Sequence, residues 1–237
     1  MSEHTIRAFD ADLQDLQRMV AEMGGRAEKL ISDAVEALVR RDVRLAQEVM
    51  LADAAVDALE RDIEEKAILT IARRQPMAVD LRDIVGALRV SHDLERIGDF
   101  AKNIAKRVVA LGSEVRIPTV MRGVEHMAEL VLAALKKVLD AYMRRDLDQA
   151  LEVWKGDEEI DAVNNSLFRE LLTYMMEDPR NITYCTHLLF CAKNIERMGD
   201  HATNIAETVH YMVRGRPLVD ERPKGDTTSI TTVPFPG

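Results

Sequence analysis

A polar ladder on one helical stretch, present twice, most constrains how this chain folds. Residues 95–105 read ERIGDFAKNIA and residues 196–206 read ERMGDHATNIA. Side chains four residues apart share one face of a helix. Each copy therefore aligns two acids and an amide, which are Glu95, Asp99 and Asn103 in the first ladder and Glu196, Asp200 and Asn204 in the second. Stacked carboxylates repel by about 0.2–0.5 kcal/mol when exposed, so each ladder favours a bound cation.

Each ladder also contains a glycine between its two acids, Gly98 and Gly199. A glycine inside a helix costs about 1 kcal/mol relative to alanine. Its presence at the same point of both copies predicts that another group closely approaches the helix backbone there.

The spacing of apolar residues predicts six helices and no strands. Pro76 interrupts the pattern, as does the Asp178–Pro179 pair, and residues 112–118 form a linker. Asp42 is the predicted N-cap of the second helix. Gly24–Gly25 in the first helix predicts either a kink or a close helix contact. The predicted helices span about 5–40, 42–72, 79–111, 119–144, 146–176 and 182–214.

These helices fall into two units offset by about a hundred residues. The short connections predict antiparallel packing within each unit. The expected fold is therefore all-α, a tandem repeat of two antiparallel three-helix bundles. The first bundle covers residues 5–111, the second covers 117–215, and 216–237 form a flexible tail without apolar periodicity.

The composition agrees with a helical protein, since 47% of residues are hydrophobic, 31% are charged and aromatic residues are few. A net charge of −9 argues against nucleic-acid binding. Cys185 and Cys191 are expected to be free buried thiols in a reducing cytoplasm. Because no apolar run is long enough to span a bilayer, membrane association would require a partner.

A second pair of acids precedes each ladder, and its members are again four residues apart. These residues are Asp53 and Asp57 in the first repeat and Asp157 and Asp161 in the second. If the two helices of a repeat meet in register, four carboxylates gather between them. Such a group suits Fe, Mn, Mg, Ca or Zn, and oxygen ligands alone do not identify which.

The competing interpretation is a solvated helix face held by salt bridges. Arg96 and Arg197 adjoin the acids, and Lys102 is placed to pair with Asp99. His92 precedes Glu95 at a spacing seen in di-iron helices, but Lys193 replaces it in the second repeat. Because the ladder, the glycine and the preceding acids are all duplicated, the metal interpretation is preferred.

Several motifs together resemble the PhoU family. They are the tandem Glu-Arg-Ile/Met-Gly-Asp ladders, Arg74-Gln75-Pro76 before Asp80-Leu81-Arg82, Met23-Gly24-Gly25, and residues 172–178. The resemblance covers nearly the whole chain except the tail after Gly215.

This resemblance implies a cytoplasmic, non-enzymatic regulator, peripheral at the inner membrane only through its partners. The implied partners are the ATPase subunit of a phosphate ABC transporter, a sensor histidine kinase and a second copy of the chain. The implied role is repression of the phosphate-starvation response and limitation of phosphate uptake. The implied metal, which is Fe, Zn, Mn or Mg, falls on the ladder acids and on the matching acids Asp53, Asp57, Asp157 and Asp161, with Asn103 and Asn204 continuing the ladders.

Two other functions fit the same residues. A carboxylate-bridged metalloenzyme, such as a ferroxidase or oxidase, would need histidine ligands in the cluster, and no histidine is repeated. A helical chaperone-like protein would carry ladders that bind nothing.

Overall fold

The computed structural model describes residues 3–111, 118–219, 225, 226 and 228, with side chains from residue 9 in the first helix and from residue 120 in the fifth. The described residues form seven α-helices and one 3-10 turn at Pro179–Asn181, without a strand. The helices are α1 (Glu3–Arg40), α2 (Val43–Ala52), α3 (Ala54–Arg74), α4 (Val79–Leu111), α5 (Pro118–Arg144), α6 (Leu147–Glu177) and α7 (Ile182–Arg214).

One difference from the predicted helices lies at Asp53, which separates α2 from α3 within the expected second helix. The backbone of Asp53 keeps helical angles, and its N–H still bonds the carbonyl of Val49. The N–H of Val56 bonds the Asp53 carbonyl three residues back rather than four. The chain therefore continues in nearly the same direction through a locally tightened turn.

The same turn joins the first two helices of each repeat. Arg41 and Arg145 adopt left-handed angles, with φ of 57° and 55°. The following N–H groups, of Asp42 and Asp146, bond the carbonyls of Ala37 and Ala141, five residues back. This pattern is that of a Schellman motif, with arginine where glycine is usual.

The predicted N-cap at Asp42 is confirmed, and Asp146 caps α6 in the same way. Each aspartate accepts a hydrogen bond from a backbone N–H three residues on, at 2.9 Å from Leu45 and 3.0 Å from Gln149.

We expect Asp146→Ala to lower the free energy of unfolding by about 1 kcal/mol, because the N–H of Gln149 loses its acceptor. Urea unfolding measures this. Asp148→Ala, in the first turn of α6 but outside the cap, serves as the control and should change stability by less than about 0.5 kcal/mol.

The helices pack as the repeat predicts. Helices α1 to α4 form the first bundle, and α5 to α7 form the second. The bundles join where α4 packs on α7 and α1 packs on α5, and one hydrophobic core runs through both. The expected all-α fold of two three-helix bundles is confirmed.

Glycines allow the two bundles to approach closely. A Cβ atom at Gly24 in α1 would lie 2.6 Å from Leu139 in α5, and one at Gly86 in α4 would overlap the side chain of Met212 in α7. Since α1 is continuous through Gly24, this glycine serves a close helix contact.

Cys185 and Cys191 are buried free thiols, as expected. Burial raises the pKa of Cys191 to about 12. Among the described residues, none of the helices is both long and apolar enough to cross a membrane.

Candidate metal centres

The first candidate centre lies where the α2–α3 junction meets α4. Asp53 is fully buried at this junction. A Cβ atom at Gly98 in α4 would lie 3.0 Å from Asp53 Oδ1. The group predicted to approach the first glycine is therefore a carboxylate from the neighbouring helix.

The two oxygens of Asp53 have different environments. Oδ2 accepts a hydrogen bond from Lys102 Nζ at 2.5 Å, whereas Oδ1 is buried with no hydrogen-bond partner. Burial raises the pKa of Asp53, although the bond from Lys102 opposes this, and Asp57 and Asp99 raise it further. The expected pairing of Lys102 with Asp99 is weaker than its contact with Asp53, since Nζ lies 4.0 Å from Asp99 Oδ1.

The ladder residues of the first repeat, Glu95, Asp99 and Asn103, are half-buried on α4. Burial raises the pKa of Glu95, and repulsion from Asp99 and Glu60 adds to this shift. Arg96 Nη1 lies 3.4 Å from Asp99 Oδ2, and Lys106 donates to Asn103 at 3.5 Å. The salt-bridge interpretation thus accounts for part of this face but leaves Asp53 Oδ1 without a partner.

Glu60, His92 and Glu95 form a further group, of which the sequence analysis had paired His92 with Glu95 but missed Glu60. One ligand atom from each lies within 4.8 Å of the others. Among the described residues no other set of three His, Cys, Asp or Glu residues does so, and the four predicted carboxylates of neither centre converge in this way. Glu60 lies three residues after Asp57, so the helical spacing already placed it beside the acids. His92 is exposed, and its ring lies 3.3 Å from Glu60.

The second candidate centre occupies the equivalent place between α6 and α7. Asp157, Asp161 and Glu196 are all buried. Thr203 donates to Asp157 Oδ1 at 3.3 Å and to the carbonyl of Gly199 at 3.1 Å. At Gly199 the approaching group is the side chain of Ile160, 2.9 Å from where a Cβ atom would be.

Glu196 has one satisfied and one unsatisfied oxygen, as Asp53 does. Oε1 accepts a hydrogen bond from Lys193 at 2.7 Å, and Oε2 is buried without a partner. Burial raises the pKa of Glu196 from 4.5 to about 7 despite the bond from Lys193, and repulsion from Asp200 contributes.

Residues of the tail cover the second centre. Asp161 Oδ2 accepts hydrogen bonds from the backbone N–H groups of Gly225 at 2.7 Å and Asp226 at 3.0 Å. Asp226 also pairs with Lys193 at 2.6 Å. The sequence predicted a flexible tail over 216–237, of which residues 220–224, 227 and 229–237 lie outside the described residues. It carries no signal of the contact made by residues 225 and 226, because contacts between distant segments have no periodicity.

Asn204, at the end of the second ladder, contacts the other bundle. Its Nδ2 donates to Asp93 Oδ1 in α4 at 3.3 Å, and the ring of His201 lies 2.7 Å from the same oxygen. The ladder spacing placed Asn204 on the correct helix, but the packing of α7 on α4 decided its partner.

The two centres are equivalent in backbone position but differ in the positions of their cations. Thr203 stands where the first repeat has Lys102, and Lys193 stands where the first repeat has His92. Each centre therefore contains one ammonium group beside a buried carboxylate. Carboxylate oxygens are the donors that hard cations prefer, and each centre has one buried oxygen without a partner. Among the described residues, however, no three of the predicted acids of either centre have ligand atoms within 4.8 Å of one another. The donor types therefore suit a metal ion, but the ion would have to displace the lysine and draw the carboxylates together.

Comparisons with known proteins agree with the internal repeat. Residues 20–108 and 124–209 each match the family model described as the PhoU domain. The chain is 58% identical over 226 residues to the phosphate-specific transport system accessory protein PhoU homolog of Rhizobium meliloti (strain 1021), covering 95% of each sequence.

Two solved structures share the fold. The crystal structure of PhoU from Pseudomonas aeruginosa matches with a TM-score of 0.84 and 42% identity, covering 88% of this chain and 100% of that one. The phosphate transport system regulatory protein PhoU from Streptococcus pneumoniae matches with a TM-score of 0.82 and 27% identity, covering 89% and 99%. The Rhizobium relative is named as an accessory protein and the Streptococcus relative as a regulatory protein, and none of the three names is that of an enzyme.

Proposed function

Because the chain belongs to the PhoU family, we propose that it regulates phosphate uptake and represses the phosphate-starvation response when phosphate is plentiful. In this role it links the ATPase subunit of a phosphate ABC transporter to a sensor histidine kinase. Its association with phosphate transport rests on the names of its relatives. The proposed mechanism is a docking surface stabilised by metal.

The observation that supports a metal-stabilised surface is that each centre contains a buried carboxylate oxygen without a partner, Asp53 Oδ1 in the first and Glu196 Oε2 in the second. An unsatisfied buried polar atom costs about 1–3 kcal/mol, and here the cost recurs at equivalent centres of the two repeats. A bound cation would supply the missing partner. The charge of that cation would also reduce the repulsion among the neighbouring acids.

The proposed ligands of each centre come from two helical segments, so a shared ion would hold the segments together. In the first centre they are Asp53, Asp57, Glu95 and Asp99, continued by Asn103. In the second they are Asp157, Asp161, Glu196 and Asp200, continued by Asn204. The metal is Fe, Zn, Mn or Mg. The bound ion supplies positive charge and directional coordination and does not catalyse a reaction.

Exposed apolar side chains provide two candidate docking patches, one at each end of the antiparallel α4–α7 pair. Met77 is 80% exposed and Val79 is 44% exposed just before and at the start of α4. At the equivalent turn before α7, Met176 is 58% exposed and Ile182 is 48% exposed. With a net charge of −9, the chain would favour partners with basic patches around an apolar contact. A homodimer is also proposed.

We expect Glu95→Ala/Asp99→Ala to lose bound metal and to express phosphate-responsive genes in high phosphate. The reason is that both changes remove ligands contributed by α4 while leaving the core intact. Elemental analysis of the purified protein and a reporter strain in phosphate-rich medium measure the two effects.

The matched control is Asp62→Ala/Glu64→Ala, which removes two exposed carboxylates from α3 and should leave both measurements unchanged. Unchanged metal content in Glu95→Ala/Asp99→Ala would refute the first centre. Metal loss with normal repression would separate the metal from the regulatory role.

A further inference from the structure

The tail residues Gly225 and Asp226 are held against the second candidate centre by four hydrogen bonds. The backbone N–H groups of Gly225 and Asp226 both donate to Asp161 Oδ2, at 2.7 and 3.0 Å. Asn165 Nδ2 donates to the carbonyl of Gly225 at 2.6 Å, and Lys193 donates to Asp226 Oδ2 at 2.6 Å. We call this tail segment, residues 225–226, the strap.

The strap is itself locally ordered and closely seated. The N–H of Thr228 donates to Asp226 Oδ1 at 2.8 Å, which closes a short turn around the aspartate. A Cβ atom at Gly225 would lie 3.3 Å from Asp161 Cβ. Asp226 is itself only 15% exposed. Donors and acceptors are thus matched on both sides of the contact.

The polarity of these contacts opposes a cation at the same place. The N–H groups of the strap direct their positive ends at Asp161 Oδ2. Lys193 brings its ammonium to Glu196 Oε1 and is held there by Asp226. Glu196 Oε2 remains open to a metal ion, but a cation approaching it is repelled by the Lys193 ammonium on Oε1 and by the strap N–H groups on Asp161, so it binds only when these donors move away.

The first centre has no equivalent arrangement among the described residues. His92 stands where Lys193 stands, and Glu60 and Arg61 stand where the second repeat has Asn164 and Asn165. Since Asn165 binds the carbonyl of Gly225, the first repeat lacks this anchor for a strap.

We propose that the strap is a built-in competitor for the second centre, which it occupies until a divalent cation displaces it. The two bundles then differ in function. At the first centre the cation competes with Lys102 alone, and at the second it binds only as the tail is released. Cation occupancy is thereby converted into exposure of a C-terminal segment. This inference rests on the proposed metal-binding function of the centres.

The test uses the full-length protein and the trypsin-sensitive Lys224–Gly225 bond, whose rate of cleavage is followed by mass spectrometry. Arg216 and Arg222 both precede proline, where trypsin does not cut, so this bond reports on the strap specifically. The Arg214–Gly215 bond at the end of α7 serves as an internal reference.

We expect Asp226→Ala and Asn165→Ala each to accelerate cleavage after Lys224 about tenfold, because each removes one or more bonds to the strap. Asn165→Ala leaves the net charge unchanged. Glu159→Ala removes an exposed acid of α6 that makes no hydrogen bond to the strap, and it should behave as wild type. Equal cleavage rates in all four proteins would overturn the strap itself.

Manganese chloride then tests the competition. We expect saturating Mn²⁺ to accelerate cleavage after Lys224 in wild type, with little further effect in Asn165→Ala. Calorimetry should show Mn²⁺ binding the second centre several-fold more tightly in Asn165→Ala, because the competing donors are weakened.

The two proposals fail differently. If Mn²⁺ binds but cleavage after Lys224 does not change, the competition is overturned and the metal function stands. If neither wild type nor Asn165→Ala binds Mn²⁺, Fe²⁺, Zn²⁺ or Mg²⁺, the metal function fails and the competition fails with it.

Discussion

Replacing Lys102 with methionine should destabilise the protein by about 3 kcal/mol, because it leaves Asp53 buried without its cation. Asp53 is fully buried, and its other oxygen already lacks a hydrogen-bond partner. Methionine keeps most of the apolar stem of lysine, so the loss reports mainly on charge. Urea unfolding in the presence of a chelator measures it.

The control is Lys106→Met on the exposed side of α4, which should change stability by less than about 0.5 kcal/mol. The double variant Asp53→Asn/Lys102→Met should recover much of the loss, because the unpaired charge is then absent. Wild-type stability in Lys102→Met would show that the Asp53 carboxylate needs no cation.

The same variant also tests whether a metal ion can take the place of the lysine. Adding Mn²⁺ should raise the Tm of Lys102→Met more than that of wild type, because the ammonium no longer competes for Asp53 Oδ2. An equal rise in both proteins would place the bound ion away from Asp53.

The second large effect is a pH dependence from Glu196. Its pKa is raised from 4.5 to about 7 by burial, so the folded protein binds this proton more tightly than the unfolded chain does. Stability must then fall as pH rises from about 4.5 to about 7, where the folded state has to ionise a buried carboxylate. The contribution is on the order of 3 kcal/mol across this window.

We therefore expect Glu196→Gln to lack this contribution. The measurement is the unfolding free energy of the variant minus that of wild type, both in the presence of a chelator. This difference should become more positive between pH 4.5 and pH 7.5. The titration of Asp226 does not interfere. Burial alone would raise its pKa, but the hydrogen bonds from Lys193 and Thr228 outweigh burial and lower the pKa to about 2, which is below this window. Parallel pH profiles for the two proteins would contradict the raised pKa.

Much of the site was readable from the sequence because helices place residues at fixed angles. The four-residue spacing put Glu95 above Asp99 and Asp53 near Asp57. The duplicated glycines predicted close approach, and both show it. Glu60 lies three residues after Asp57 and so shares its helix face, but it falls outside the four-residue pattern that defined the candidate ligands.

What the sequence did not reveal lies in contacts between distant segments. Lys102 was expected beside Asp99, three residues away, but its ammonium lies nearer to Asp53, which is separated from it by 49 residues. Asn204 was placed with the second ladder, yet it donates to Asp93 across the bundle interface.

The helices, apart from the break at Asp53, their repeat and the helix face that carries each acid could all be predicted from the sequence, because these follow from local periodicity and capping. The tertiary structure decided which cation meets each buried carboxylate. It also decided that the strap lies on Asp161 and that one repeat differs chemically from the other. Those outcomes depend on the packing of helices and tail in three dimensions, where a few ångströms select one partner among several of similar charge.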